Sequence, residues 1–201
     1  MGTPSKSEEK ETMRIAILRL GQVDPGVINS IQENLDTIFA DTKITLTAET
    51  LPLPKEAYAK TRQQYRSGII LSAVHNFAET HNSFDRILGI VDVDLFVPRL
   101  NFVFGEAEYP GKVAVISLWR LRPEFYGKAS NNQVLVERAT KEAVHELGHS
   151  LGLKHCSNPF CVMYFSNSIF ETDRKQSLFC NKCYLKTMIT KDKGKNLERR
   201  V

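Results

Sequence analysis

Three histidines and a glutamate lie close together between His145 and His155, in the pattern His-Glu-x-x-His-x-x-Gly-x-x-His. On a helix, residues four apart share one face, so His145 and His149 would lie about 6 Å apart along the axis and both could bind one metal ion. Glu146 would be turned by about 100° from the first histidine. That position suits a carboxylate that holds a metal-bound water and not the metal itself.

The glycine and the third histidine of the pattern add further constraints. Gly152 can adopt a left-handed backbone conformation without the penalty of a Cβ atom, so the helix can end there and turn sharply. The turn would bring His155 back as a third nitrogen ligand. Three histidines leave the fourth position of a tetrahedral zinc ion open to water, as in a catalytic site. The alternative, an amphipathic helix with outward-facing histidines, leaves the glycine and His155 unexplained.

All four cysteines of the chain lie just after this pattern. Four residues separate Cys156 from Cys161 (C-x4-C), and two residues separate Cys180 from Cys183 (C-x2-C). Four thiolates at this spacing predict a closed, tetrahedral structural zinc site. Two disulfides are an alternative that a chain without a secretory signal does not favour, and the upstream pair argues against a redox Cys-x-x-Cys motif. The sequence therefore predicts two zinc ions per chain, one catalytic and one structural, as close neighbours.

The elements that must position these residues alternate between strands and helices. Apolar runs of strand length occupy residues 13–20, 44–47, 86–93, 101–104 and 112–118. Helical spacing follows Asp24-Pro25 and recurs over residues 55–77. Residues 106–111 would form a turn between the last two strands. This order implies crossover connections and a mixed sheet with helices packed on it.

The metal-binding helix has its own signals. Residues 130–132 offer N-cap side chains, and an apolar stripe follows at Val136, Ala139, Ala143, Leu147 and Leu151. Residues 156–170 are loop-like, and Asp173 would cap a last helix over residues 174–187.

Bulk composition excludes several classes of protein. The 201 residues suit one domain, or one domain with a small lobe. The formal net charge of +4 is too mild to indicate a nucleic-acid partner. The sequence has no apolar run of the roughly 18 residues that span a membrane, and residues 1–12 lack the apolar core of a signal peptide. We therefore expect a cytoplasmic monomer without nucleic-acid or membrane partners.

The pattern at residues 145–155 resembles the zinc-binding motif of the metzincin metallopeptidases, and Met163 resembles their methionine turn. Further segments resemble one branch of that clan, the archaemetzincins. They are His155-Cys156, Cys161-Val162-Met163 and residues 93–98, 101–107, 165–168 and 179–183. The resemblance covers about residues 86–185, with weaker similarity back to Met13.

This resemblance implies an α/β (α+β), metzincin-like fold: a mixed twisted sheet with helices, an active-site helix and a small C-terminal lobe with a structural zinc. One catalytic domain would span residues 13–190, with subdomains at about 13–152 and 153–190. Residues 1–12 would be disordered, and residues 191–201 would form a solvated basic tail.

The implied activity is zinc-dependent hydrolysis of peptide bonds, on short peptides or N-terminal residues. Glu146 would take a proton from a zinc-bound water and pass it to the leaving amine. Met163 would support the zinc ligands from below. Residues 101–104, if they form the sheet edge, would pair with an extended peptide or protein substrate. The alternative is a two-zinc protein with a shielded or empty catalytic site that acts as a binding module.

Other polar residues give weaker signals. Asp92 and Asp94 at a strand end could form a metal pair, but a capping or orienting role is expected. Glu106 could bind a substrate amine, but a solvated turn carboxylate is expected. In some metzincins a tyrosine two positions after the methionine approaches the metal, and here that position is Phe165.

Overall fold

The computed structural model describes residues 12–187. In chain order, their strands and helices are β1 (Met13–Leu20), α1 (Pro25–Ile38), β2 (Thr42–Leu51), β3 (Tyr58–Ala59), β4 (Gln64–Arg66), α2 (Ser67–Thr80), β5 (Arg86–Val91), β6 (Leu95–Phe96), β7 (Gly105–Ala107), β8 (Val113–Ser117), α3 (Asn132–Ser150) and α4 (Ile169–Arg174). Short 3₁₀ turns occupy Lys55–Ala57, Trp119–Leu121 and Pro123–Tyr126. The expected α/β class is confirmed.

A five-stranded sheet in the order β2-β1-β5-β8-β7 forms the centre of the molecule. Its first four strands are parallel, and β7 runs antiparallel to β8 at one edge. Ile15 and Ile17 pack with α1 and α3, whereas Ala16 and Leu18 pack with α2. Both faces of β1 are therefore covered, which explains its continuous apolar run.

Only the second half of the helix expected over residues 55–77 is present. Helix α2 begins at Ser67, and the residues before it contribute β3 and β4 to a small second sheet with β6. Gln63 adopts a positive φ of 55° between these strands, which ends any helix there. Strand β4 pairs with β6, about thirty residues later, so local spacing could not indicate it.

The edge strand also differs from the prediction. It comprises Gly105–Ala107 instead of residues 101–104, and the turn that follows it is correspondingly shorter than residues 106–111. Val103 makes an isolated antiparallel bridge to Leu95. The chain at residues 101–104 therefore belongs mainly to the loop that leads into the edge.

The expected last helix over residues 174–187 is replaced by two shorter ones. Helix α4 is capped by Ser168, whose hydroxyl and N–H pair with the Glu171 carboxylate, and residues 181–187 are helical again. Asp173 caps neither helix, because its carboxylate binds the guanidinium of Arg138 at 2.6 and 2.7 Å. Residues 152–168, which include most of the loop predicted at 156–170, form no regular helix or strand.

Two of the remaining predictions concern the chain ends. Apart from Thr12, the segments 1–12 and 191–201 lie outside the described residues. Within residues 12–187, no helix has the length and apolar character needed to cross a membrane. The division into subdomains near residue 152 stays a prediction.

Candidate active site

Helix α3 carries His145, Glu146 and His149 into the interior of the protein. It begins at the N-cap Asn131, whose side-chain oxygen accepts a hydrogen bond from the N–H of Val134 at 3.1 Å. It packs against β7 and β8 of the sheet. His145 and Glu146 are consequently only 4% and 6% exposed.

The helix ends in the sharp turn that the sequence predicts. Gly152 has a positive φ of 86°, and the N–H of Leu153 donates to the carbonyl of Gly148 at 2.9 Å. This pattern of a left-handed glycine with a six-to-one hydrogen bond closes many helices. Here it directs the following residues back across the helix end and brings His155 next to His149.

The three imidazole rings converge through their Nε2 atoms. Nε2 of His149 lies 3.0 Å from that of His145 and 3.2 Å from that of His155. At the other side of the rings, Nδ1 of His145 faces the carbonyl of Val162 and Nδ1 of His149 that of Leu153, each at 2.7 Å. Because a carbonyl only accepts, each Nδ1 must carry the proton, and each Nε2 offers a lone pair.

Converging lone pairs repel one another unless a cation lies between them, so this donor set fits a metal ion. A tetrahedral zinc ion about 2.0–2.1 Å from each nitrogen would place the nitrogens about 3.3 Å apart, close to the separations observed. Burial and the charge of Lys175 lower the pKa of His145 well below its usual value, and burial lowers the pKa of His149 and His155. The neutral imidazole is the form that binds metals.

Glu146 follows His145 on α3, and its side chain lies against the edge strand β7. A Cβ atom on Gly105 would come within 2.6 Å of its Cγ and 2.8 Å of its Oε1, so only glycine leaves room for this side chain. Burial raises the pKa of Glu146 well above its usual value, and the nearby Glu142 adds to this effect. The carboxylate is therefore a strong base for a glutamate.

The four cysteines form a second cluster. Their sulfur atoms all lie within 4.8 Å of one another, and Sγ of Cys156 is 3.9 Å from that of Cys180. A tetrahedral zinc with sulfur ligands at about 2.3 Å implies separations of about 3.8 Å between sulfurs, whereas a disulfide needs about 2.0 Å. All four thiols are free, so the geometry fits a metal and not two disulfides.

A cavity of about 370 Å³ opens onto the histidines and Glu146. One wall comprises the edge strand β7 and the loop before it, and the other comprises residues 165–167. The site is thus accessible from one side and bounded by an unpaired strand edge.

A sequence profile of peptidase family M54 matches residues 13–188. The chain belongs to this family. It is 44% identical over 174 residues to the archaemetzincin of Methanocaldococcus jannaschii, covering 87% of this chain and 92% of that protein. It is 40% identical over 175 residues to the archaemetzincin of Pyrococcus furiosus, covering 86% and 91%.

Solved structures of archaemetzincins share the fold. That from Methanopyrus kandleri superposes with a TM-score of 0.77 at 33% identity, over 89% of this chain and 94% of that one. That from Archaeoglobus fulgidus, complexed with malonate, gives 0.74 at 37% identity, over 87% and 99%. This archaemetzincin is therefore a zinc metallopeptidase, and its substrates are peptides or proteins.

Met163 packs against Gly148 of α3, the residue that precedes His149. It is fully buried, and its sulfur occupies the space that a side chain on Gly148 would need. Two positions later, the ring of Phe165 lies 4.8 Å from that of His155. Phe165 thus places a phenyl ring, without a hydroxyl, beside the third histidine.

Two expectations about acidic residues can be compared with the structure. Asp94 and Asp92 bind Arg120 and Arg122, in keeping with an orienting role. Glu106 is not a solvated turn residue: it lies on β7, is partly buried, and accepts a hydrogen bond from the hydroxyl of Ser67 at 2.5 Å.

A buried polar group that was not predicted from the sequence lies beside the site. Glu142 lines the cavity and contacts Thr172 and Lys175, both buried. Glu142 precedes Glu146 by one helical turn, so helical spacing alone could have indicated it. No local signal identifies Lys175, because its partner is more than thirty residues away.

Proposed function

We propose that this archaemetzincin hydrolyses peptide bonds at a zinc ion held by His145, His149 and His155, with Glu146 as the general base. The observation that carries this proposal is the convergence of three imidazole Nε2 atoms at the end of an open cavity. The hydrogen bonds from Nδ1 to backbone carbonyls hold the rings of His145 and His149 in that orientation.

A zinc ion in this position would supply a Lewis acid that acidifies water and polarises the substrate carbonyl. Glu146 would accept a proton on its carboxylate from the attacking water and then deliver it to the leaving nitrogen. Its burial and the neighbouring Glu142 raise the pKa of Glu146, which suits a group that must both take and return a proton. Gly105 keeps the carboxylate close to the strand along which substrate would lie.

The edge strand supports binding of an extended peptide. Phe104 and Glu108 form backbone hydrogen bonds with β8, and Glu106 is in register with Val115 between them. In an antiparallel ladder the intervening residues, Gly105 and Ala107, therefore direct their N–H and C=O groups away from β8. A substrate strand would pair with these groups, and an edge of three residues suits a short peptide.

We assign a second, structural zinc ion to Cys156, Cys161, Cys180 and Cys183. It would link the loop that carries Met163 to the helical residues 181–187. Met163 would then support the histidines by packing and not by coordination.

The test combines metal counting with hydrolysis of a short-peptide library. The wild type should hold two zinc ions per chain and lose hydrolysis on chelation. Glu146→Gln should keep both ions and lose about 100-fold or more in kcat, and His149→Ala should keep only the cysteine-bound ion.

Retained hydrolysis by Glu146→Gln would remove Glu146 from the mechanism. One zinc ion per wild-type chain and no turnover would instead favour a binding module with an empty catalytic site.

A further inference from the structure

The largest fully buried side chain among the described residues is that of a lysine, Lys175. Its side chain is 0% exposed, and its Nζ lies 3.0 Å from Oε1 of Glu142, itself 4% exposed. The same oxygen accepts a hydrogen bond from the hydroxyl of Thr172 at 2.9 Å. Within residues 12–187, no other carboxylate is recorded within ion-pair distance of this ammonium.

Stability alone does not explain this pair. Removing two charges from water costs several kcal/mol per ion, and well-packed neutral residues of similar volume often serve stability as well or better. A buried ion pair does, however, fix the relative position of the two segments that carry it. The role of the pair therefore depends on which two segments it joins.

Lys175 begins a segment that runs beside the loop of the site. The N–H of Gln176 donates to the carbonyl of Phe160 at 2.9 Å, and the carbonyl of Leu178 accepts from the N–H of Val162 at 3.0 Å. The carbonyl of Val162 in turn faces Nδ1 of His145 at 2.7 Å.

These contacts form a closed ring that begins and ends on one turn of α3. It runs from Glu142 to Lys175, along residues 175–178, across to residues 160–162, and back to His145, three residues after Glu142. The ring is closed on one side by the ion pair and on the other by the hydrogen bond that orients the His145 imidazole. A shift at Lys175 would therefore move the acceptor of that hydrogen bond.

We infer that Lys175 is a positioning residue for His145: its ion pair with Glu142 fixes the segment that holds the carbonyl of Val162 against the imidazole. The inference rests on the proposed function, because it assigns His145 a metal to bind. Groups that orient metal-binding histidines typically change metal affinity by about 10- to 100-fold when they are removed.

A second ion pair between the same elements provides a matched control. Arg138 and Asp173 also join α3 to the α4 region, at 2.6 Å, but Asp173 is 43% exposed and the pair lies outside the ring. A general role in holding α4 on α3 would be shared by both pairs, whereas the orientation of His145 depends on Glu142 and Lys175 only.

The experiment uses the full chain, depleted of metal and titrated with Co²⁺. Thiolate-to-cobalt absorption reports the cysteine site separately from a site with nitrogen ligands only. The variants are Lys175→Met, the double variant Glu142→Gln/Lys175→Met, and the control Asp173→Asn. The double variant leaves no unpaired buried charge, so it tests the inference even if Lys175→Met fails to fold.

We expect the double variant to melt within a few degrees of the wild type without metal and to bind Co²⁺ at the histidine site about 10- to 100-fold more weakly. Its cysteine site should be unchanged, and kcat should fall while KM does not. Asp173→Asn should bind Co²⁺ as the wild type does.

Two results would overturn the inference: wild-type affinity in the double variant, or an equal loss of affinity in Asp173→Asn. If the wild type itself binds no Co²⁺ through nitrogen ligands, the proposed function is overturned. This result is distinguishable from the two that overturn the inference alone.

Discussion

At the scale of single residues, two glycines of the site are required for close approach and not for backbone freedom. Gly105 leaves space for Glu146, and Gly148 leaves space for Met163 and Phe179. Neither glycine has a positive φ, so an alanine would be tolerated by the backbone at both positions. The effect of a substitution should therefore come from packing alone.

Gly148→Ala should destabilise the protein by about 1–3 kcal/mol, because the new Cβ would collide with the sulfur of Met163 in a packed core. Displacement of Met163 should also lower metal affinity at the histidines. Thermal melting and zinc content would measure both effects. The control is Gly68→Ala in the first turn of α2, where the nearest atom is 3.9 Å away and helix propensity favours alanine by up to about 1 kcal/mol. Equal melting shifts in the two variants would contradict this account.

At the scale of elements, the edge strand β7 separates two kinds of backbone group. The N–H of Ala107 points toward the cavity edge, whereas that of Glu106 pairs with β8. Proline at either position removes one backbone N–H. Only the N–H of Glu106 makes a hydrogen bond within the folded protein, whereas that of Ala107 would bond to a substrate. The two substitutions should therefore separate binding from stability.

Ala107→Pro should lower kcat/KM for short peptides by about 3- to 10-fold, since one hydrogen bond contributes about 0.5–1.5 kcal/mol, and should leave the melting temperature nearly unchanged. Glu106→Pro should lower the melting temperature instead, because it breaks the ladder with β8. Peptide hydrolysis and thermal melting of both variants provide the measurement. Unchanged kcat/KM in Ala107→Pro would argue against substrate pairing at this edge.

The elements also show where sequence reasoning succeeds. Strand β1, the helix start at Asp24-Pro25, an N-cap within residues 130–132 and the turn at Gly152 follow from local signals, and the structure has all of them. The second sheet was missed because β4 depends on β6, and the last helix was misplaced because Asp173 binds Arg138 instead of a helix end. Each error involves a partner distant in sequence.

At the scale of the whole molecule, the same distinction applies to the site. The histidine and cysteine clusters could be predicted because their spacing is local and chemically specific. The edge strand was placed four residues too early, and the pair Glu142–Lys175 was not foreseen, because both depend on how separate segments pack. The cysteine cluster and α3 also share one hydrophobic core, so metal binding at the cysteines should be coupled to the stability of the fold.

This coupling predicts a two-stage response to chelators. Four thiolates should hold zinc more tightly than three neutral imidazoles, so a weak chelator should abolish hydrolysis while it removes one zinc ion and barely changes the melting temperature. A strong chelator should then remove the second ion. If that ion is present at about 1,000 times its Kd, its loss costs about 4 kcal/mol, or about 8–16 °C for a domain of this size.

Cys183→Ser should show the lowered melting temperature without any chelator, because Cys183 is a buried member of the cluster. Zinc content, hydrolysis and melting measured on the same samples would decide the order. A large melting shift before activity is lost would show that the cysteine site gives up its ion first, which would contradict this order.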